Sequence, residues 1–283
     1  MTRISLVFSM LFFSVPALTL GASLVVMPEN PMQGEPVMVV VEGADIPAIK
    51  TASFFGQKLN FFLYQGKPIA LIPIDLAQRA GDYPLVVKLS SGETLKKTVA
   101  VVLRPKITAP LGIPEKLGGN TKVAQDSLVT MLSKENTILA KIKTTLLPMW
   151  GSPFTFPVKA VEIVDAYGYS RSTGSYSIPH KGTDFRATVG TEVRAINGGI
   201  VRLAREFTIY GKTVAIDHGG GVVSFSMHLS KIQVKEGQKV KQGDLLGLSG
   251  ESGYALGPHL HLSVKIYGIS IDPMKFFSLF TLK

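Results

Sequence analysis

The sequence has no cysteine among its 283 residues. This absence excludes disulfide bonds as a source of stability, and it excludes thiolate metal ligands and lipid attachment through cysteine. A metal site in this chain must therefore be built from histidine and carboxylate side chains alone. Histidine is also scarce, with five copies in the whole chain, so the position of each histidine is informative.

Acidic residues are fewer than basic ones, with 20 Asp and Glu against 30 Lys and Arg, and the formal net charge is +10 at pH 7. A basic protein is attracted to polyanions, and salt weakens that attraction. The N-terminal segment described in the next paragraph predicts export, so the positive charge indicates anionic envelope material as the partner. Nucleic acid is not expected, since the lysines are scattered along the chain. Solubility alone is the alternative reason for the charge.

Long apolar runs are missing except at the N-terminus. Residues 4–20 form an apolar run behind Arg3, and small residues follow at 21–23. This layout predicts a secretory signal peptide over residues 1–22, and therefore a location in the periplasm or cell envelope. The run is shorter than the roughly 20 apolar residues of a spanning helix and contains serines and a proline. An uncleaved membrane anchor is the alternative; after cleavage we expect no stable membrane insertion.

The rest of the chain is rich in turn residues, with 28 glycines and 17 prolines in the full sequence. Short β-branched runs such as "PVMVVVEG" and "YPLVVKLSSGETLKKTVAVVL" alternate with these turns, which predicts a mostly β fold. We expect a small β-sandwich over residues 23–105, a linker with a helix over residues 106–150, and a β-sheet-rich domain over residues 151–283.

The linker contains one segment with apolar residues at helical spacing, "TKVAQDSLVTMLSKENTILAKIKTTLLP". Pro148 and Gly151 follow this segment and are expected to end the helix. We expect the helix to pack on one or both neighbouring domains. The apolar positions are Val123, Leu128, Leu132, Ile138, Leu139, Ile142 and Leu146.

All five histidines lie in the C-terminal region, at His180, His218, His228, His259 and His261. In "GPHLHLSV" two of them are separated by one leucine. On a strand, His259 and His261 would point to one face, and Leu260 and Leu262 to the other. Such a pair suits one metal ligand beside one proton-handling group. A hydrogen-bonded pair of surface histidines is the alternative.

The motif "PHKGTDF" places His180 four residues before Asp184, with Gly182 between them. A glycine there would permit a tight bend that brings the imidazole and the carboxylate together. Both groups are suitable zinc ligands, and a third ligand from elsewhere would complete a site with one position open for water. A pair of exposed side chains on a helix is the alternative interpretation.

The remaining two histidines have more ordinary surroundings. His228 ends the alternating run "SFSMHLS", where a buried, hydrogen-bonded core histidine is the common outcome. His218 lies in "DHGG", which predicts an exposed histidine in a turn without a catalytic role.

Together these motifs resemble the lysostaphin-like (LytM-type) zinc metallopeptidases, which cut peptidoglycan. "HKGTD", "MHLS" and "HLH" occur in the order and spacing of that family, and "DAYGYSR" stands where the family has Phe-Gly-x-Arg. "DFRATVGTEVRAINGGIV" and "VAIDHGGG" match further stretches, so that the resemblance covers about residues 151–275. The upstream β-module with its helix is similar to the N-terminal region of exported members.

The resemblance implies one zinc ion held by His180, Asp184 and His261, with His228 and His259 as the unligated catalytic pair. It further implies hydrolysis of peptide bonds in peptidoglycan stem peptides during cell-wall remodelling. The enzyme would act as an endopeptidase on cross-links, with carboxypeptidase trimming as a second mode. The sequence leaves open which bond is cut, which of the two unligated histidines is the base, and the oligomeric state.

Two further positions bear on the substrate. Arg171 is expected to pair with a substrate carboxylate, or else to be a structural surface arginine. The family commonly has a tyrosine two residues before the histidine of "MHLS", where this chain has Ser226. The neighbouring Phe225 is expected to point to the opposite face of the strand, which puts any substrate contact of that tyrosine in doubt.

Other functions are compatible with parts of this pattern. A non-catalytic binding module that activates another cell-wall hydrolase is the alternative function, although such relatives lack metal ligands and this chain has the full set. A carrier with a related β-fold, suggested by "GDLLGLSG", is the third possibility. A biotinyl carrier would need a modifiable lysine in that turn, which is absent there. A phosphohistidine carrier of sugar transport would belong in the cytoplasm, which the predicted signal peptide contradicts. The β-sandwich and the helix near residues 121–147 are expected to cover the groove of the enzyme until they are displaced.

Overall fold

The computed structural model of this chain describes residues 21–281. The predicted signal peptide lies outside these residues except for Gly21 and Ala22. Within the described range, no helix combines the length and the apolar character that crossing a bilayer requires. The fold is mostly β, as the sequence predicts.

The N-terminal region forms two four-stranded antiparallel sheets that face each other as a small sandwich. Its strands are β1 (Ser23–Met27), β2 (Pro36–Glu42), β3 (Ile49–Phe54), β4 (Gln57–Lys58), β5 (Phe62–Tyr64), β6 (Lys67–Pro73), β7 (Gly81–Leu89) and β8 (Thr94–Val101). The sheet orders are β1-β2-β6-β5 and β4-β3-β7-β8. Alternate side chains from both sheets, among them Val37, Phe54 and Leu85, fill the core between them.

The linker contains strand β9 (Thr108–Pro110), a short 3₁₀ turn (Glu115–Leu117) and helix α1 (Lys122–Leu139). The helix begins where the Thr121 hydroxyl accepts the Ala124 N–H at 3.2 Å. It ends well before Pro148, so the predicted end is wrong. Val123 in its first turn and Leu146 beyond its end are 77% and 63% exposed, not buried as the spacing predicts. Leu128 is buried. Among the described residues, the helix shares its hydrophobic clusters with side chains of the linker and the C-terminal region, and with none of the sandwich.

The C-terminal region adds thirteen strands and one short helix. They are β10 (Ile163–Asp165), β11 (Ser170–Thr173), β12 (Tyr176–Pro179), β13 (Thr183–Arg186), β14 (Glu192–Arg194), β15 (Gly199–Phe207), β16 (Gly211–Gly219), β17 (Val222–Leu229), β18 (Lys231–Ile232), β19 (Lys239–Val240), β20 (Leu245–Leu248), β21 (His259–Ile266), β22 (Ile269–Ile271) and α2 (Pro273–Leu279). The main sheet has the order β10-β13-β21-β17-β16-β15-β19, with β22 paired to β21. Two small sheets, β12-β11-β9 and β14-β20-β18, flank it.

The main sheet has two faces, which we define on strand β21. The front face carries His259 and His261, which are half-buried, and the back face carries Leu260 and Leu262, which are fully buried. The alternation predicted for "HLHL" is therefore confirmed. Helix α1 lies over part of the front face, since its Leu139 packs with side chains of β15, β16 and β17.

The back face shares one continuous hydrophobic core with the sandwich. Met38 and Val40 of β2 pack in the same cluster as Leu262 and Phe276. Val37 of the same strand points the other way, into the sandwich core. Strand β2 is thus buried on both faces, which explains why "PVMVVVE" is continuously apolar rather than alternating. The predicted domain boundaries at residues 105 and 150 stay predictions.

Candidate metal centre

Neighbouring strands β13 and β21 bring a carboxylate next to an imidazole. Asp184 pairs directly with His261 in the antiparallel register, so both side chains point to the front face. The Asp184 Oδ1 atom lies 2.7 Å from His261 Nδ1. Gly182 is needed here because a Cβ atom at that position would overlap the His261 ring. The glycine therefore permits a close approach rather than the tight bend expected from the sequence.

His180 reaches the same point from the loop after β12. Its Nε2 atom lies 3.1 Å from His261 Nδ1 and 3.2 Å from Asp184 Oδ1. Its Nδ1 atom is 2.9 Å from the carbonyl oxygen of Ala166, which can only accept, so Nδ1 carries the proton and Nε2 the lone pair. Within the described residues, His180, Asp184 and His261 form the one group of side chains suited to a metal ion.

The protonation states fit metal binding. Burial alone would raise the pKa of the Asp184 carboxyl, but the neighbouring imidazoles of His180 and His261 hold that pKa well below its usual range. Burial lowers the pKa of His261, against the opposing effect of Asp184. The site therefore offers two imidazole nitrogens and one carboxylate oxygen. This is a three-ligand set that suits zinc and leaves a coordination position for water or substrate.

His259 and His228 lie next to this cluster without joining it. His259 Nδ1 donates to the Gly257 carbonyl at 2.8 Å, and its Nε2 lies 3.9 Å from Asp184 Oδ2. His228 Nδ1 donates to the Ser252 carbonyl at 2.9 Å. The two imidazole centres are 4.8 Å apart. Each ring is thus fixed by one backbone carbonyl and keeps Nε2 free.

His228 reaches the front face through an irregularity in strand β17. The pairing of β16 with β17 shifts between Lys212 and Val214, so that β17 has one extra residue there. His228 has φ of 61°, in the left-handed region, as expected for a β-bulge. The bulge interrupts the alternation of the strand, and both Met227 and His228 lie on the histidine-bearing side.

Because of the bulge, the residues before His228 have the opposite orientation to the one expected from the sequence. Phe225 pairs with Ser263 and packs in the front-face cluster, whereas Ser226 pairs with Leu262 of the back face. Phe225, not Ser226, therefore shares the front face with the histidines. The prediction that Phe225 would point to the opposite face is wrong, because it assumed unbroken alternation up to His228.

Burial determines the charge of His228. Burial, with smaller effects of the neighbouring His261 and His259, lowers its pKa to about 3. His228 is therefore neutral at neutral pH, and its free Nε2 is a hydrogen-bond acceptor.

His218 is not the exposed turn residue that the sequence predicts. It lies in strand β16 and is 0% exposed. Its Nδ1 donates to the Gly198 carbonyl at 2.8 Å, and its Nε2 accepts from the Ser224 hydroxyl at 2.8 Å. Its ring packs edge-on against Phe154, and burial lowers its pKa to about 4. The prediction failed because "DHGG" is the end of a strand whose histidine is satisfied inside the back-face core.

Arg171 lines the same groove but is already paired. Its guanidinium forms an ion pair with Asp165, and the same carboxylate lies 3.4 Å from His180 Nδ1. The ion pair supports His180 from behind, as carboxylates commonly do for metal-binding histidines. The substrate-binding role of Arg171 stays a prediction. Asp165 gave no signal in the sequence, because its partners come from other elements.

The metal group opens into a groove of about 930 Å³. Helix α1 forms one wall, and the loop before β21 forms another. Two lysines, Lys181 and Lys265, also line it, and of the described residues neither forms an ion pair. Burial, together with the charge of Lys181, lowers the pKa of Lys265. Lys265 was missed in the sequence, although its place four residues after His261 on one strand face could have indicated it.

Comparisons with known proteins agree with this geometry. The model of peptidase family M23 matches residues 178–273. The chain is 43% identical over 97 residues to the peptidoglycan DD-endopeptidase ShyA of Vibrio cholerae, covering 34% of this chain and 23% of that protein. It is 37% identical over 95 residues to the DD-carboxypeptidase/endopeptidase Mpg of Neisseria meningitidis, covering 34% of this chain and 22% of that protein. The match thus spans less than a quarter of these relatives.

A crystal structure from Pseudomonas aeruginosa assigned to peptidase M23 is similar over most of the chain. It has a TM-score of 0.63 and 28% identity, and the alignment covers 88% of this chain and 95% of that one. The similarity therefore extends beyond the histidine-rich region to the sandwich and linker. Since the family match contains all five histidines and the metal group, the C-terminal region of this chain is a peptidase family M23 domain.

Proposed function

We propose that this chain is a zinc-dependent peptidase that hydrolyses peptide bonds of peptidoglycan in the cell envelope, by cutting stem-peptide cross-links. The observation that carries the proposal is the convergence of His180 Nε2, Asp184 Oδ1 and His261 Nδ1 beside two histidines with a free ring nitrogen. M23 peptidases are zinc enzymes, and this donor set fits zinc better than metals that prefer oxygen ligands.

Zinc, when bound, supplies Lewis-acid chemistry that polarises a scissile carbonyl and makes a water molecule more acidic. The two unligated histidines manage the protons. His228 is neutral, so its Nε2 accepts the proton of the attacking water. His259 is more accessible to solvent than His228; its Nε2 gives a proton taken from solvent to the leaving amine, and His228 then releases the water-derived proton to solvent. Each role requires the Nδ1–H bond to a carbonyl, because this bond fixes which nitrogen is free.

The groove is suited to a peptide with free carboxylates. Lys181 and Lys265 place two cations in its lining, which the histidines share, without acidic partners among the described residues. Positive charge in a cleft attracts and retains anionic ligands. Peptidoglycan stem peptides meet this requirement. The relatives named for DD-endopeptidase and DD-carboxypeptidase/endopeptidase activity support cross-link cleavage first and trimming of single stems second.

The alternative function, activation of another hydrolase without catalysis, is less well supported. A binding module has no need of a complete ligand set, two oriented free histidines and an open groove around them. All three are present here.

The deciding experiment is digestion of purified peptidoglycan, read by mass spectrometry. We expect cross-linked dimers to be converted to monomers by the zinc-loaded protein, and no conversion after removal of the metal with a chelator. Readdition of zinc should restore the products. Unchanged peptidoglycan in the zinc-loaded sample, with folded protein and bound metal, would contradict the proposal; loss of terminal residues alone would assign carboxypeptidase trimming.

A further inference from the structure

Helix α1 sends one buried carboxylate towards the catalytic domain. Glu135, near the C-terminal end of the helix, is 5% exposed. Its two oxygens accept the backbone N–H groups of Ile209, at 2.9 Å, and Tyr210, at 3.1 Å. These residues form the turn between β15 and β16. Burying a carboxylate costs several kcal/mol unless hydrogen bonds compensate it, so a buried Glu at a helix–sheet contact calls for a function that an apolar residue could not supply.

The turn held by Glu135 is the turn on which His228 depends. The Tyr210 carbonyl accepts the His228 N–H at 3.0 Å. His228 is the bulge residue with φ of 61°, a conformation that costs a non-glycine residue on the order of 1 kcal/mol or more. Such a conformation persists only where the surroundings impose it. The hydrogen bond from the turn is one of the contacts that impose it.

The same turn also fixes the ring of His228. Lys212, which follows the turn, donates its N–H to the Ser252 hydroxyl at 2.9 Å. That hydroxyl donates to the Leu229 carbonyl at 2.7 Å, and the Ser252 carbonyl accepts from His228 Nδ1 at 2.9 Å. Backbone and ring of His228 are therefore both tied to the segment that Glu135 clamps.

We propose that Glu135 is a positioning residue for His228, and that helix α1 is by this contact a working part of the catalytic unit. Glu135 lies outside residues 178–273, the part of the chain that the M23 family model matches. The clamp is thus supplied from outside the matched domain. Its effect on turnover rests on the proposed function, whereas its effect on the geometry of His228 does not.

The test compares Glu135→Gln with Glu35→Gln in the full chain. In Glu135→Gln the new amide would keep one acceptor but turn an NH₂ group towards the second backbone N–H, so the clamp loses one bond and gains a repulsion. Glu35 is a matched control, since it is 3% exposed, accepts the Met32 N–H at 3.1 Å and pairs at 3.2 Å with Lys275 of α2. Both variants lose part of a buried carboxylate network.

Three readouts separate positioning from stability. In Glu135→Gln we expect kcat to fall about tenfold to a hundredfold, with KM and the zinc content unchanged. Nitrogen NMR of the imidazoles should show that His228 no longer has its proton fixed on Nδ1, and hydrogen exchange should accelerate at the amides of Ile209, Tyr210 and His228. Glu35→Gln should change stability and leave all three readouts as in the wild type.

Unaltered exchange and unaltered His228 ring signals in a folded Glu135→Gln variant would overturn the inference. So would an equal loss of kcat in Glu35→Gln, since that would make the effect one of general stability. If the wild type cleaves no peptidoglycan, the proposed function fails, but the exchange and NMR readouts still decide whether Glu135 positions His228.

Discussion

On the front face of strand β21, His259 and His261 lie half-buried beside an open groove, whereas on the back face Leu260 and Leu262 are fully buried in a core shared with the sandwich. One strand therefore carries the reactive groups and the attachment of the N-terminal region on opposite sides. This arrangement lets a rigid apolar layer hold the ligands in place without entering the site. Substitutions on the front face should therefore affect metal binding and catalysis, whereas substitutions on the back face should affect the packing of the sandwich.

The same comparison revises the role of the N-terminal elements. The sandwich packs on the back face, and of its described residues Asp75 alone lines the groove. Its position argues against the covering role predicted for it, because the sandwich would have to leave a continuous core to reach the front. Helix α1 does line the groove, and it also clamps the turn that holds His228.

The largest effect is expected from a ligand on the front face. His261→Ala removes one of three ligands, so we expect loss of zinc and of all chelator-sensitive cleavage. Zinc content by mass spectrometry and product formation from peptidoglycan are the measurements. Leu262→Ala is the matched change on the back face. It should retain zinc while the free energy of unfolding falls by about 2–5 kcal/mol. Zinc retained at full stoichiometry in His261→Ala would contradict the assignment of His261 as a metal ligand on the front face.

A smaller loss is expected from the unligated histidine on the same face. His259→Ala should keep zinc bound, because Nε2 of His259 stands outside the ligand set. Its kcat should fall by about 10²–10⁴-fold, the usual contribution of general acid–base catalysis. Steady-state kinetics together with metal analysis check this. Wild-type turnover in the variant would remove His259 from the proton transfers.

The sequence predicted the elements that follow simple periodicity and missed those that depend on tertiary contacts. The alternation in "HLHL" and the short strands around it were enough to assign the faces of β21. Phe225 was misplaced because a bulge at His228 cannot be recognised from apolar alternation. His218 was misjudged because Gly198 and Ser224, which satisfy its ring, come from other parts of the sheet. Glu135 gave no signal, since a glutamate on a helix is ordinarily exposed.

Attachment on the back face can be tested at Phe62. This residue of β5 is buried and packs edge-on against Trp150 at 5.6 Å between ring centres. Phe62→Ala should lower the free energy of unfolding by about 3–5 kcal/mol while kcat changes less than twofold. Trp150 is the single tryptophan of the chain, so denaturant unfolding followed by its fluorescence reports on this contact. An unchanged unfolding midpoint would show that the sandwich is not held there.

The smallest effect concerns the one histidine that belongs to the back-face core. Because burial lowers the pKa of His218 to about 4 from an ordinary value near 6.5, the unfolded chain takes up its proton at higher pH than the folded chain. The associated stability is present above about pH 6.5 and is lost as the pH falls towards 4, by up to about 3 kcal/mol. His218→Asn cannot titrate, so its unfolding free energy should fall less between pH 7 and pH 4.5 than that of the wild type. Denaturant titrations at both pH values give the difference. If the unfolding free energy fell equally in the two proteins between pH 7 and pH 4.5, the fold would accept a proton on His218 as readily as the unfolded chain does. The back-face core would then tolerate a charge at this position.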